Sequence, residues 1–392
     1  MMMKAMKKLT QFVVFAGLVL AWGLGSGSRA FAAGEPEYKA AILMEAQSGQ
    51  VLFEESSHAP VIPASLVKMM VMLIAMESVE AGHVQMTDMI TASAWASKIG
   101  GSQVYLSEGE QFPLEELLKA IAMHSANDAA TAVAEFIAGS TDAFVEMMNN
   151  RARELGLKDT VFANVHGLPP DKGQKDNVTS AYDMAMLGRE LLKHSKILEW
   201  TSLVESTFRN GTFTLTNTNR ELIMKYPGVD GLKTGFHGHG AGFNVCATAM
   251  RDDLRLIVVV MGATRKADRY QGVISLFNRG FTQFERVVVL RKGFSVGDPV
   301  PVYQGKIRAT TLVASDNAVV LIPKGKKGEI RQEVNIPVAR IPAPVSQGLR
   351  FGEAIISIGD TEVMRVNLVT EHDIPRGNLF DRLKWWILNK IW

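Results

Sequence analysis

Cysteine is almost absent: Cys246 is the single one in 392 residues. That excludes an internal disulfide framework and any metal centre built from several thiolates. Cys246 falls in the apolar run Gly242 to Ala249 with no base beside it, so it reads as a small core residue rather than a reactive thiol. Long blocks of one charge are missing as well. Lys and Arg total 42 against 40 Asp and Glu, a formal net charge of +2. The densest basic cluster, Lys324-Gly-Lys-Lys327, is a short loop, so no nucleic acid is expected as a partner. No H-E-x-x-H pattern occurs, and His237-Gly-His239 lacks the third ligand a zinc site needs, so no metal is expected. The glycine-rich run Gly235 to Gly242 lacks the Lys-Ser/Thr ending of a phosphate-binding loop. No cofactor is implied. Internal repeats and low-complexity segments are absent too.

What is present begins with a leader pattern. Lys4, Lys7 and Lys8 precede the apolar stretch Phe12 to Leu24, and Ala30-Phe31-Ala32 supplies a small-x-small cleavage site. The stretch is 13 residues long, short of the roughly 20 that span a bilayer. Residues 1–32 therefore read as a signal peptide, and the chain as exported.

Lys39 to Phe53 alternates around Ser48-Gly49 as a β-hairpin. Pro63 opens a helix from Ala64 to about Glu80 that is apolar nearly all round and hence buried. Leu114 to Met123, Asp128 to Ile137, Thr141 to Leu155 and Ala181 to His194 read as further helices, the last with Thr179 or Ser180 as its cap. Phe208 to Thr216, Val229 to Thr234, Gly242 to Met250 and Leu254 to Met261 read as strands, and Lys266 to Phe284 as a closing helix. The pattern is that of an α/β (α+β) domain, 33–286.

From 287 to 375 short apolar stretches recur between Gly and Pro: Val300 to Tyr303, Ala318 to Ile322, Val334 to Ile341, Ala354 to Ile358 and Val363 to Leu368. These predict a small all-β sandwich or barrel. The tail, 376–392, predicts an amphipathic helix. Leu379, Phe380, Leu383, Trp386, Ile387 and Ile391 share one arc, although Lys390 intrudes and Trp385, Leu388 and Trp392 lie outside it. Three of the six Trp are here, and a helix this short lies on a membrane surface rather than crossing it. The membrane partner is assigned to residues 378–392.

Three short motifs stand in chain order: Ser65-Leu-Val-Lys68, Ser125-Ala-Asn127 and Lys233-Thr-Gly235. Ser65 and Lys68 interrupt an otherwise apolar helix, where polar side chains are costly unless they meet partners. Positions i and i+3 share a helix face, so the Lys68 amine can reach the Ser65 hydroxyl. A serine hydroxyl needs a base beside it to act as a nucleophile. Lysine serves only when burial and a second cation lower its pKa, and Lys233 is the candidate second cation. Ser65 in a first helical turn also has backbone N–H groups turned towards developing negative charge.

Ser-x-x-Lys, Ser-x-Asn and Lys-Thr-Gly in this order resemble the signature set of penicillin-binding proteins and class A β-lactamases. Pro-Ala-Ser-Leu-Val-Lys-Met-Met, His-Ser-Ala-Asn-Asp-Ala-Ala, Val-His-Gly-Leu (165–168) and Val-Asp-Gly-Leu-Lys-Thr-Gly (229–235) resemble the low-molecular-mass D-alanyl-D-alanine carboxypeptidases. The likeness covers the chain from leader to tail. It implies a penicillin-binding/β-lactamase-like catalytic domain. It implies that Ser65 attacks the penultimate D-Ala carbonyl of a peptidoglycan stem peptide, with Lys68 as base and Ser125 relaying a proton to the leaving D-Ala. Asn127 would orient the Lys68 side and the substrate amide. Lys233 and Thr234 would hold the terminal carboxylate, and the N–H groups of Ser65 and of the residue after Gly235, here Phe236, would form an oxyanion hole. Phe236 stands where relatives often carry His, which leaves a side-chain role for His237 open. Arg269 matches a carboxylate-binding arginine, with Arg265 one turn away, and His166 is expected to bond a loop near the site. β-Lactam antibiotics are implied as covalent inhibitors.

Two other activities fit the first motif. A class A β-lactamase needs a Glu-x-x-Leu-Asn phrase to position its water, and the chain lacks it. A non-hydrolytic muropeptide- or β-lactam-binding protein has no need of intact Ser65, Lys68 and Ser125. The expected location is the periplasmic face of the inner membrane, held peripherally by the tail.

Overall fold

The computed structural model describes residues 36–388; the leader at 1–32 and residues 389–392 of the tail lie outside the described residues. The chain opens with the hairpin β1 (Ala40–Glu45) and β2 (Val51–Glu55). Pro63 then starts a 3₁₀ turn, Ala64–Val67, which runs straight into α1 (Lys68–Glu80). A short hairpin, β3 (Met89–Thr91) with β4 (Gln111–Pro113), leads to the helices α2 (Leu114–His124), α3 (Asn127–Ala138) and α4 (Thr141–Glu154). Next come α5 (Ala181–Leu191), α6 (Ser195–Thr201), the hairpin β5 (Glu205–Phe208) with β6 (Phe213–Thr216), and α7 (Arg220–Lys225). Three long strands, β7 (Val229–His237), β8 (Gly242–Arg251) and β9 (Leu254–Ala263), precede α8 (Lys266–Gln283).

These strands form one antiparallel sheet in the order β2-β1-β9-β8-β7. Side chains alternate across it. Ile42, Met44, Ile257 and Val259 join the core under the helical block, whereas Ala41, Leu43, Leu256 and Val258 face Tyr270, Val273 and Phe277 of α8. The first of these cores encloses α1, where Met69 to Met76 are buried on every side. Each large apolar side chain so buried contributes about 1.5–3 kcal/mol. That surplus allows α1 to carry one fully buried amine, Lys68.

Several local expectations shift. The segment 208–216 is two strands and a turn rather than one strand, because Arg209 and Asn210 adopt left-handed φ of 55° and 51° and reverse the chain. The helix from Ala181 ends at Leu191 rather than His194, and α6 restarts at Ser195; Ser180, not Thr179, caps α5 by accepting from the Asp183 N–H. The short helix α7 has no counterpart in the sequence reading. The Arg251-Asp-Asp253 turn joins β8 to β9, with Asp252 and Asp253 both at positive φ.

The following region is all-β, as its punctuation predicts. Its strands are β10 (Phe284–Leu290), β11 (Ser295–Tyr303), β12 (Ala309–Ala314), β13 (Ala318–Pro323), β14 (Ile330–Asn335), β15 (Ile341–Pro342), β16 (Arg350–Ile358) and β17 (Thr361–Thr370). Six lie in the order β14-β16-β17-β12-β11-β15, and β10 pairs with β13. Val302, Leu312, Ile322, Ile356 and Leu368 fill their shared core. The stretch Val334 to Ile341 is not one strand: β14 ends at Asn335, and only Ile341–Pro342 pairs again, with β11.

The tail helix α9 (Leu379–Leu388) leaves Leu379, Phe380, Leu383 and Trp386 exposed. Among the described residues no helix is long and apolar enough to cross a membrane.

Candidate active site

β7 is an outer strand of the sheet, and the turn that carries Ser65 packs against it. A methyl group on Gly235 would fall 2.6 Å from the Pro63 carbonyl oxygen and 3.2 Å from the Ser65 nitrogen. Only glycine lets strand and turn approach so closely, which explains the third residue of Lys-Thr-Gly. Asn244 on β8 ties the same turn down, donating from Nδ2 to the carbonyls of Ile62 and Pro63. Ala64 holds a left-handed φ of 49° beside the partly exposed Ser65.

The Lys68 amine donates to Ser65 Oγ at 3.0 Å and to the His166 carbonyl at 2.6 Å. Burial pushes the Lys68 pKa well below the ordinary lysine value, and the nearby Lys233 pushes it the same way; the Asp128 carboxylate pulls it back up. Lys233 is likewise buried and donates to the Thr234 carbonyl. Desolvation, with the Arg269 charge adding to it, lowers its pKa from 10.5 to about 7. An amine whose pKa is lowered in this way, within hydrogen-bond reach of a serine, has the geometry a general base needs.

Ser125 ends α2 in a left-handed conformation, φ 64°, and its buried hydroxyl makes no hydrogen bond to a protein group. Asn127 opens α3. Its Nδ2 donates to the Gly100 carbonyl at 2.6 Å, and its Oδ1 is buried without a protein partner. The Asn127 amide is therefore fixed from the Gly100 side rather than by a bond to Lys68. Thr234 Oγ1 donates to Thr218 Oγ1. Phe236 is exposed and stacks on Phe243 at 4.2 Å.

Arg269, in the first turn of α8, is buried over Tyr270, with its Nε unpartnered. Burial depresses its pKa. Arg265 is instead an exposed partner of Asp268, at 2.7 Å. The two arginines one turn apart are thus separated by geometry, and Arg269 is the one whose charge reaches Lys233.

Three residues here have contacts that a reading of motifs does not give. His166 bonds to the loop as expected, its Nδ1 accepting from the Leu168 N–H, but its backbone carbonyl also fixes Lys68. Asp128, fully buried, accepts from the N–H groups of Val104, Leu106 and Ala129. Its sequence signal, an acid in a first helical turn, is too common to single out. His237 is buried, and its Nδ1 accepts from the His239 N–H. Cys246 is buried at the sheet centre, where desolvation pushes its thiol pKa far up.

The arrangement sets a hydroxyl against an amine of lowered pKa, with the basic side chains Lys233 and Arg269 close enough to act on one another electrostatically. Chemically it suits acyl transfer from a substrate that ends in a carboxylate.

Comparison with known proteins gives the same direction. Residues 29–265 match the family model described as D-alanyl-D-alanine carboxypeptidase, and residues 284–376 match that of the penicillin-binding protein 5 C-terminal domain. The chain is 36% identical over 352 residues to the D-alanyl-D-alanine carboxypeptidase DacF of Bacillus subtilis (strain 168), covering 89% of this chain and 88% of that one. Its fold is similar to that of penicillin-binding protein 5 from Haemophilus influenzae, with a TM-score of 0.73, 29% identity, and coverage of 87% of this chain and 98% of that one. It is also similar to penicillin-binding protein D2 from Listeria monocytogenes in its ampicillin-bound form, with a TM-score of 0.57, 29% identity, and coverage of 62% of this chain and 97% of that one.

Proposed function

The chain belongs to the D-alanyl-D-alanine carboxypeptidase family of low-molecular-mass penicillin-binding proteins, and from that premise we propose how its residues perform the reaction. The enzyme is a serine carboxypeptidase acting on peptidoglycan peptides, and β-lactams acylate it. The single observation that carries the assignment of roles is the 3.0 Å bond from the buried Lys68 amine to Ser65 Oγ.

The neutral Lys68 amine takes the Ser65 proton as Oγ attacks the penultimate D-Ala carbonyl. The N–H groups of Ser65 and Phe236 receive the oxyanion. The proton passes from Lys68 through the Ser125 hydroxyl to the leaving D-Ala nitrogen, the C–N bond breaks, and the acyl-Ser65 ester remains. Water then attacks the ester and restores the Ser65 hydroxyl. Lys233, Thr234 and Arg269 hold the terminal carboxylate, a task suited to a buried guanidinium fork beside an ammonium. Gly235 keeps the strand close, and Asn127, fixed at Gly100, presents its free Oδ1 to the substrate amide.

We divide the chain into a leader (1–32), the catalytic domain (33–286), the β-rich domain (287–375) and the tail (376–392). The leader implies export, and the exposed apolar side chains of α9 support peripheral attachment at the periplasmic face of the inner membrane. Neither β-lactamase activity as the main task nor silent binding is favoured, because relatives over most of the chain are carboxypeptidases.

Mass spectrometry of a synthetic stem pentapeptide incubated with the purified protein tests the proposal. Loss of one D-Ala with wild type and none with Ser65→Ala is the expected result. Release of D-Ala by Ser65→Ala would refute the nucleophile.

A further inference from the structure

Left-handed backbone costs a residue with a side chain roughly 1–2 kcal/mol, and it persists only where the surroundings over-determine it. Ala64 and Ser125 carry such strain beside and within the catalytic motifs. A third residue with it, Tyr105 (φ 57°), has no part in the mechanism above. A bulky aromatic at positive φ is the most unusual of the three.

Tyr105 belongs to a strap, residues 100–106, that runs along the start of α3. Asn127 Nδ2 donates to the Gly100 carbonyl, the Asn127 N–H to the Ser102 carbonyl, and Ser102 Oγ to the His124 carbonyl. The peptide units on either side of Tyr105 are then gripped from two directions. The buried Asp128 carboxylate accepts from the N–H groups of Val104 and Leu106. Arg209, at the β5–β6 turn, donates to the carbonyls of Val104 (3.2 Å) and Tyr105 (2.6 Å), and it pairs with Glu110.

The grip turns Val104 and Leu106 into the core and leaves Tyr105 outside it. The Tyr105 residue is 68% exposed. Its ring meets Phe213 edge-on at 6.3 Å, and Phe213 meets His124 edge-on at 5.5 Å, one residue before Ser125. A strained residue held on both sides, with its ring left in water, contributes little to the core. Strain of that kind points to a ligand contact. Cationic side chains that suit the substrate's terminal carboxylate are Lys233 and Arg269. The strap offers an aromatic surface instead, which matches the uncharged and aliphatic parts of a peptide.

Resting on the acyl-enzyme reading of Ser65, we propose that Tyr105 is a specificity-determining residue. Its ring packs against the stem peptide on the N-terminal side of the D-Ala-D-Ala unit, and Asp128 and Arg209 are positioning residues that hold it there.

Tyr105→Asn is the variant of choice, because Asn tolerates left-handed φ and removes the ring. Three rates are measured: hydrolysis of the pentapeptide, hydrolysis of N-acetyl-D-Ala-D-Ala, and acylation by benzylpenicillin. For the pentapeptide kcat/KM should fall about 5- to 10-fold, carried by KM, as expected for loss of one aromatic contact. The short substrate and the penicillin should react as with wild type, and Tyr105→Phe should retain wild-type selectivity. Arg209→Gln should give the same selective loss, and the double variant no more than either alone. An equal loss on long and short substrates, or none on either, overturns the proposal. Failure of wild type to be acylated by benzylpenicillin would instead refute the Ser65 reading.

Discussion

A methyl group on Gly167 would fall 2.1 Å from the carbonyl oxygen of Ala64 and 2.8 Å from the nitrogen of Ser65. Gly167 also holds φ 78°. The loop around His166 is therefore pressed directly onto the backbone that presents the nucleophile, and the same loop lends its His166 carbonyl to Lys68. The two halves of the serine–lysine pair are set by one contact between glycine and turn.

That contact makes Gly167→Ala a severe change. Backbone on both sides cannot yield as a flexible side chain would, and left-handed φ adds its own cost. Destabilisation should be about 2–4 kcal/mol in urea unfolding, from overpacking plus the φ penalty. Labelling by a fluorescent penicillin should slow by more than the loss of folded protein accounts for. Wild-type labelling and stability would show that the loop moves without consequence for Ser65.

The pH dependence of acylation follows from the groups around Lys68. Only the neutral amine accepts the serine proton, so the rate rises with pH through the Lys68 pKa. Lys233 lowers that pKa and Asp128 raises it. Lys233→Gln should therefore move the acid limb of benzylpenicillin acylation to higher pH, and Asp128→Asn should move it to lower pH. Both variants will also be slower, but the position of the limb, not its height, is the readout. Shifts in the same direction would remove Lys68 as the titrating base.

Stability should record the same burial. Lys233 is protonated in folded and unfolded chains below pH about 7, so the full desolvation cost is present there. Between about 7 and 10.5 the folded lysine is neutral while the unfolded one still holds its proton. The unfolded state then binds more protons, and stability rises with pH. Lys233→Met should thus be more stable than wild type at pH 6, with an advantage that shrinks towards pH 10. Urea titrations at the two pH values measure it. An advantage independent of pH would mean that Lys233 stays charged in the fold.

The motif residues were legible because the chemistry they share depends on short spacings. Ser65 and Lys68 sit one turn apart on a helix whose neighbouring positions are apolar, and Lys-Thr-Gly lies on a segment that reads as a strand. The β5–β6 turn was less legible because Phe208, Phe213 and Leu215 give the impression of one strand; Asn210-Gly211 was the signal that marks the reversal. Asp128 and the Gly167 contact could not be read at all. Each acts through backbone far away in sequence, at Val104 and Leu106 for the first and at Ala64 for the second. Spacing encodes a side chain's neighbours within its own element, whereas these partners exist only once separate loops have been packed together.

The tail offers a test that is independent of the catalytic centre. On α9 the exposures of Leu379, Phe380, Leu383 and Trp386 are 79%, 81%, 56% and 60%. Solvent-facing apolar side chains of that size on one short helix are unfavourable unless something covers them. The described part of the helix has 10 residues, about 15 Å, and among the described residues no helix is long and apolar enough to cross a membrane. Deleting residues 378–392 should abolish co-flotation with anionic phospholipid vesicles and leave benzylpenicillin acylation of Ser65 unchanged. Replacing Leu379, Phe380 and Leu383 with Ser should weaken flotation in the same sense, because the lost attraction is apolar burial rather than charge. A truncated protein that still floats with vesicles would place the membrane contact in another part of the chain.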